Sequence, residues 1–159
     1  MQNIILTLMA VLVTLVLLGS GVAIYNNTNE QSAITRATSN VTTIIAATES
    51  LGAGRYAGFS NAVGVAGGIF PGNMVSAAGA VTNAWGGNAI LEEVVGQPRF
   101  KITYQQVPKT ACVNLLARDY GPSVISIEVR GVAVTLPATV ADAVAKCSLA
   151  LNEIRWTAH

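Results

Sequence analysis

The sequence predicts an α+β fold in which a long N-terminal helix lies against an antiparallel sheet. Three observations carry that expectation. Ile4–Ile24 contains no charged side chain. Residues 26–52 follow with a 3,4-spaced apolar stripe on an otherwise polar stretch. From residue 88 onward, alternating apolar and polar residues are broken by Gly and Pro turn signals. The chain therefore divides into an apolar stem (1–25), an amphipathic helix (26–52) and a head (53–159). The head divides again into an αβ-loop (53–87) and an antiparallel sheet with short helices (88–159).

The stem comes first. At 1.5 Å per residue, a helix over Ile4–Ile24 spans about 32 Å, against a bilayer hydrocarbon core of roughly 30 Å. Ile4, Ile5, Leu6, Leu8, Met9, Val11, Leu12, Leu15, Val16, Leu18, Val22 and Ile24 fall all round that helix. Such a segment belongs in lipid or inside a shell of like helices. Gly19, Ser20 and Gly21 interrupt it near its end, and each glycine costs about 1 kcal/mol relative to Ala. Two readings stay open here: a joint that loosens outside lipid, or a small-residue packing spot between helices. Tyr25 sits where an interfacial aromatic belongs. No Lys or Arg precedes the apolar run, and the run is longer than that of a secretory signal. The expected species is a mature form whose basic leader has been removed.

Ile34, Ala37, Val41, Ile44, Ile45, Thr48 (by its methyl) and Leu51 form the stripe of the second segment, which ends at Gly52, a natural C′ residue. No Pro or turn cluster separates it from the stem. One continuous helix to about Leu51, some 75 Å long, is expected. Ile34, Val41, Ile44, Ile45 and Leu51 are the residues expected to pack on the head. Asn26-Asn27-Thr28 and Asn40-Val41-Thr42 fit glycosylation sequons, with helix packing as the preferred use.

Ala53–Gly87 is rich in Gly, Ala, Ser and Asn and poor in periodicity. It reads as a long loop, with a short helix near Met74–Ala80 and Phe59, Ile69, Phe70 and Trp85 as its apolar anchors. Ala89–Val95 and Arg99–Val107 flank Gly96-Gln97-Pro98 as a hairpin. Phe100, Ile102 and Tyr104 alternate with Lys101, Thr103 and Gln105, as in a half-buried strand. A helix is expected over Ala111–Tyr120, with Thr110 as N-cap and Gly121-Pro122 as its stop. Val124–Val129 and Val132–Val134 read as strand. A second helix is expected over Ala138–Leu151, with Val140, Val144, Cys147 and Leu151 on one face, and Glu153–Thr157 as a last strand.

Composition excludes several functions. Charged residues make up 11% of the chain and the net charge is +1, so there is no electrostatic case for binding nucleic acid. Sparse charge suits a subunit that neighbours cover. Roughly 110 residues remain for the head, enough for one modest core. The only histidine is the terminal His159, and the adjacent Glu92 and Glu93 point to opposite faces of a strand. No serine elbow, metal cluster or phosphate loop is present, and the glycines of 52–58 follow no strand. The expectation is a protein with no enzymatic activity, no cofactor and no metal. Cys112 and Cys147 stand 35 positions apart, too few for a zinc site. A disulfide or two buried thiols would account for them, and the apolar segment ahead of them favours the disulfide.

The order of these parts resembles a type IV pilin of the type IVb subclass, most closely bundle-forming pilin and the thin-pilus pilins of conjugative plasmids. The local matches are Gly21-Val22 to Tyr25, and Ala84-Trp85-Gly86-Gly87 before the first strand. Lys109–Leu115 (KTACVNL) resembles the surroundings of the family's first disulfide cysteine, and Pro137–Cys147 (PATVADAVAKC) those of its second. The resemblance spans essentially the whole chain. It implies storage in the inner membrane, then leader removal and N-methylation at Met1 by a prepilin peptidase. Assembly machinery would then extract the subunit into a helical homopolymer outside the cell. Adhesion, cell aggregation or conjugative mating-pair contact would follow. In one place the chain departs from the family. Ile5, or Thr7 in a shifted register, stands where most type IV pilins carry a glutamate near the mature N-terminus. The rival readings are a minor pilin or pseudopilin that primes or tips a machine, and a membrane-anchored binding module.

Overall fold

The computed structural model describes residues 28–159. The stem residues, Met1, Gly19 and Gly21 lie outside the described residues. Two compact units divide the chain, Met1–Ala33 and Ile34–His159. Residues 28–33 of the first unit are helical. Among the described residues no helix is long and apolar enough to cross a membrane.

In the second unit helix α1 occupies residues 34–52. Its stripe holds as expected through Thr48: Ile34, Ala37, Val41, Ile44, Ile45 and Thr48 are all buried. Thr48 is polar yet fully buried, because its hydroxyl donates to the Ile44 carbonyl at 2.6 Å. Asn40 is buried as well, so the sequon at 40–42 does not offer its side chain to modification.

Leu51 departs from the expectation. It is 52% exposed, its Cδ2 lying over Gly67 of the αβ-loop rather than in the core. The stripe steps from Thr48 to Gly52, where the Tyr56 ring lies so close that a Cβ at Gly52 would sit 2.4 Å from its Cε1. Gly52 thus serves as a seat for Tyr56 inside the helix. The left-handed turn expected there falls to Ala53 (φ 46°) and Gly54 (φ 80°).

The αβ-loop contains helix α2, Asn61–Ala66, capped by Ser60, where no helix was expected. The helix expected near Met74–Ala80 is absent. Val75 instead bridges Val81 in antiparallel fashion, and Thr82 bridges Asn88. The local pattern failed here because Ser76–Ala80 closes a turn, with Ser76 N–H donating to the Ala80 carbonyl at 2.9 Å.

Strands β1 (Ala89–Glu93), β2 (Phe100–Pro108), β3 (Val124–Val129), β4 (Val132–Val134) and β5 (Leu151–Ala158) form one five-stranded sheet in the order β1-β2-β5-β3-β4. All pairings are antiparallel. The last strand therefore lies at the centre. It aligns Trp156 with Ile102 on one side and Ile127 on the other. A bulge at Gln105–Gln106 interrupts β2, with Gln106 at φ 55°.

Helix α3 (Lys109–Leu116) buries Ala111, Cys112, Leu115 and Leu116. It starts earlier than expected. Pro108, still paired to Leu151, occupies the N-cap position with no side-chain cap, so Thr110 lies inside the first turn. Helix α4 spans only Val140–Lys146, capped by Thr139. The expected extension to Leu151 fails because Cys147 leaves helical geometry (ψ 57°) and Leu151 begins β5. Of the apolar face expected on this helix only Cys147 is buried; Val140, Val144 and Leu151 are exposed.

Candidate functional site

The relevant features are what holds the surface of the head in shape and what that surface presents. Two devices hold the shape. The first is the Cys112–Cys147 disulfide, with a Cα–Cα distance of 5.9 Å. Both residues are fully buried. The bond joins α3 to the end of α4, and so encloses β3, β4 and α4. This settles the alternative left open above: the cysteines are paired, not free.

The second device is a pair of asparagines that sequence reasoning missed. Asn61 places its side-chain amide against the outer edge of β1, donating to the Ala89 carbonyl at 2.8 Å and accepting from Leu91 N–H at 2.6 Å. It thus covers backbone groups that an edge strand would otherwise expose. Asn83 donates to the Gln105 carbonyl at 2.6 Å and accepts from the N–H groups of Trp85 and Gly87 at 3.0 and 3.1 Å. The β2 bulge presents that carbonyl. Gly87 is required beside it, since a Cβ there would lie 1.9 Å from Gln105 O. The available signal was an Asn two residues ahead of Trp85 and four ahead of Gly87. Side-chain pairing to a strand far along the chain is not visible in a local pattern.

Behind these devices sits an aromatic cluster. Trp156 meets Tyr104 and Tyr120 edge-on, at centroid distances of 5.3 and 5.8 Å. The Tyr120 hydroxyl donates to the Leu115 carbonyl at 3.1 Å, and the Tyr104 hydroxyl to Met74 Sδ at 3.7 Å. Burial pushes the pKa of both hydroxyls well above the usual tyrosine value. In the unfolded chain they ionise near pH 10. Folding stability from these groups is therefore complete below about pH 10. Above it, stability falls by about 1.4 kcal/mol per pH unit for each tyrosine that stays protonated only in the folded head. A pH series of thermal melts should be flat for these groups from neutral to about pH 10 and drop steeply beyond. Tyr104→Phe should flatten the alkaline limb.

The presented surface is low in charge. Val132, Leu136, Val140, Val144, Leu149 and Leu151 are exposed within or beside the disulfide-bounded segment. The outer face of the sheet carries a polar string instead. Arg155 pairs with Glu128 at 3.2 Å and Glu153 at 3.4 Å, and Glu153 also accepts from Gln105. Among the described residues there is no group of three or more His, Cys, Asp or Glu placed to hold a metal ion. His159 lies exposed at the end of β5. The Glu93 carboxylate accepts from Gly58 N–H, which spends it on holding the loop.

The model of the family described as PilS N terminal matches residues 31–159, which includes the whole sheet and both cysteines. The chain belongs to the PilS N-terminal family. Among solved structures, the PilS-family chain is similar to a type IV b pilin from Salmonella typhi. That match has 21% identity and a TM-score of 0.61, covering 76% of this chain and 95% of that one. It is also similar to TcpA, a type IV pilin from Vibrio cholerae El Tor biotype. There the identity is 16% and the TM-score 0.53, with 80% of this chain and 99% of that one covered. No curated protein matches it. The fold is that of the type IVb pilins, as the sequence led one to expect.

Proposed function

We propose that this PilS-family chain is the major subunit of a type IVb pilus, polymerising through residues 1–25 into an extracellular helical filament. One observation carries the reading: a head with the type IVb pilin fold follows an uncharged run over Ile4–Ile24 in the same chain. Lipid is a tolerable home for that run, and a bundle of identical runs is equally apolar. Transfer from bilayer to filament core therefore costs little, and packing can tip it. Head-to-tail contacts that do not close give a filament rather than a ring. The filament serves adhesion, cell aggregation or conjugative mating-pair contact. Before assembly the subunit waits in the inner membrane, where a prepilin peptidase processes and methylates Met1 and assembly machinery receives it. Gly19–Gly21 loosens on leaving the lipid and lends the fibre extensibility. No nucleic acid or cofactor is required.

Ile5 favours a second reading. An uncharged residue there removes an attraction to a neighbour's terminal amine as well as the cost of burying a carboxylate. That suits a minor pilin or pseudopilin with a different mode of entry. Electron microscopy of sheared surface material, with the subunit mass measured, separates the readings. Abundant filaments of this chain support the major subunit. This chain as a trace in filaments built of another supports the minor one. Its absence from all surface fibres overturns both.

A further inference from the structure

Helix α4 reads as a helix that wants a partner. Within Val140–Lys146 only Asp142 and Lys146 are polar, yet Ala143 is the only buried residue. Val140 is 64% exposed and Val144 48%. A helix that is apolar on nearly every side is normally covered. Its exposed side is ordered in stripes. Val140 and Val144, one turn apart, make one edge; Ala141 and Ala145 run up the middle; Asp142 and Lys146 make the other edge. No ion pair within the chain engages Asp142 or Lys146 among the described residues. One carboxylate oxygen of Asp142 accepts from the Thr139 hydroxyl, at 2.6 Å, which leaves the other available.

This pattern is complementary to itself when reversed. In an antiparallel pair of helices related by a two-fold axis, each edge stripe faces its own copy running the other way. Asp142 then meets Lys146 of the second copy, and Lys146 meets Asp142 of the second copy. Val140 and Val144 pack on their counterparts, and the alanines let the axes approach. In a parallel two-fold pair each charged edge lies against the other copy's valine edge, and neither Asp142 nor Lys146 finds an opposite charge. We propose that α4 is an isologous contact surface whose partner is α4 of a second copy of this chain, in antiparallel orientation. A seven-residue helix buries far less than the roughly 1,000 Å² of a stable dimer, so a single contact is weak. Repeated along two fibres it becomes strong by multivalency. On the filament reading above, upon which that last step rests, α4 joins filaments laterally and in opposite directions.

The test uses the full chain in dodecyl maltoside, with sedimentation velocity up to about millimolar protein. Wild type should associate, and Asp142→Lys and Lys146→Asp should each lose association at least about tenfold. An equimolar mixture of the two variants should recover it, because only the mixed pair places opposite charges together. Stem-driven association in detergent would be the same in all four samples and would overturn the proposal, as would a wild type that stays monomeric throughout. If fibres are recovered, micrographs should show wild-type fibres side by side and either variant's fibres single. Absence of fibres with the charge-swap pattern intact would count against the filament reading and leave the α4 contact standing.

Discussion

Replacing both cysteines with alanine (Cys112→Ala/Cys147→Ala) should destabilise the head by about 4 kcal/mol, the chain-entropy value for a loop of this length. For a head of this size that is a fall in melting temperature of roughly 12–20 °C. The loss should not be spread evenly. Sheet strands β2 and β5 carry their own dense packing through Phe100, Ile102, Tyr104 and Ile154, all fully buried. The segment inside the disulfide has much less. Strand β4 has three residues, one of them buried, and α4 buries only Ala143. Outside the bond, α4 is held by its Thr139 cap and by Arg130, which donates to Ser148 Oγ at 2.9 Å. Hydrogen exchange on the double variant should therefore show residues 130–147 losing protection first, while β2 and β5 keep theirs until global unfolding. Uniform loss across the head would mean that the bond acts only on the unfolded chain.

That uneven distribution also explains which parts of the molecule could be read from sequence. Helix α1 was legible because a 3.6-residue period needs only local spacing, and burial of Ile34, Val41, Ile44 and Ile45 follows from it. The β1–β2 hairpin was legible because Gly96, at φ 76°, marks its turn. Leu51 was misplaced because the helix exit is decided by the Tyr56 ring, which arrives from outside the period. Helix α2 was invisible because NAVGVA has no stripe. It is fixed by the Ser60 cap and by Phe70, whose ring fills the space a Cβ at Gly64 would need. The central place of β5 was not legible, since strand order is a matter of non-local pairing that alternation does not encode. Of the devices that hold the surface in shape, the cysteines were readable and Asn61 and Asn83 were not. A thiol pair announces itself by type. An asparagine standing in for a strand does so only once the strand is beside it.

Trp156→Ala should cost the head a further large amount, about 3–5 kcal/mol, and for a different reason. Trp156 is 1% exposed on the central strand, its neighbours in register being Ile102 and Ile127. Its ring holds Tyr104 and Tyr120 edge-on, and such aromatic pairs are worth about 0.5–1.5 kcal/mol beyond area burial. Truncation to Ala removes both contacts and leaves a void between the strand and α3, since Tyr120 is tied to α3 through Leu115 O. The sheet cannot close that void by shifting β5 alone. Any movement of β5 breaks register with β2 on one side and β3 on the other. Trp156→Phe keeps an aromatic edge for both tyrosines and loses less volume, so it should cost well under half as much as the alanine variant. Urea denaturation followed by circular dichroism gives the two values. An alanine variant within about 1 kcal/mol of wild type would show that the cluster is not what holds the sheet to α3. Because β5 is the middle of the sheet, a chain ending before Leu151 should leave β2 and β3 with unpaired edges and fail to give a folded head.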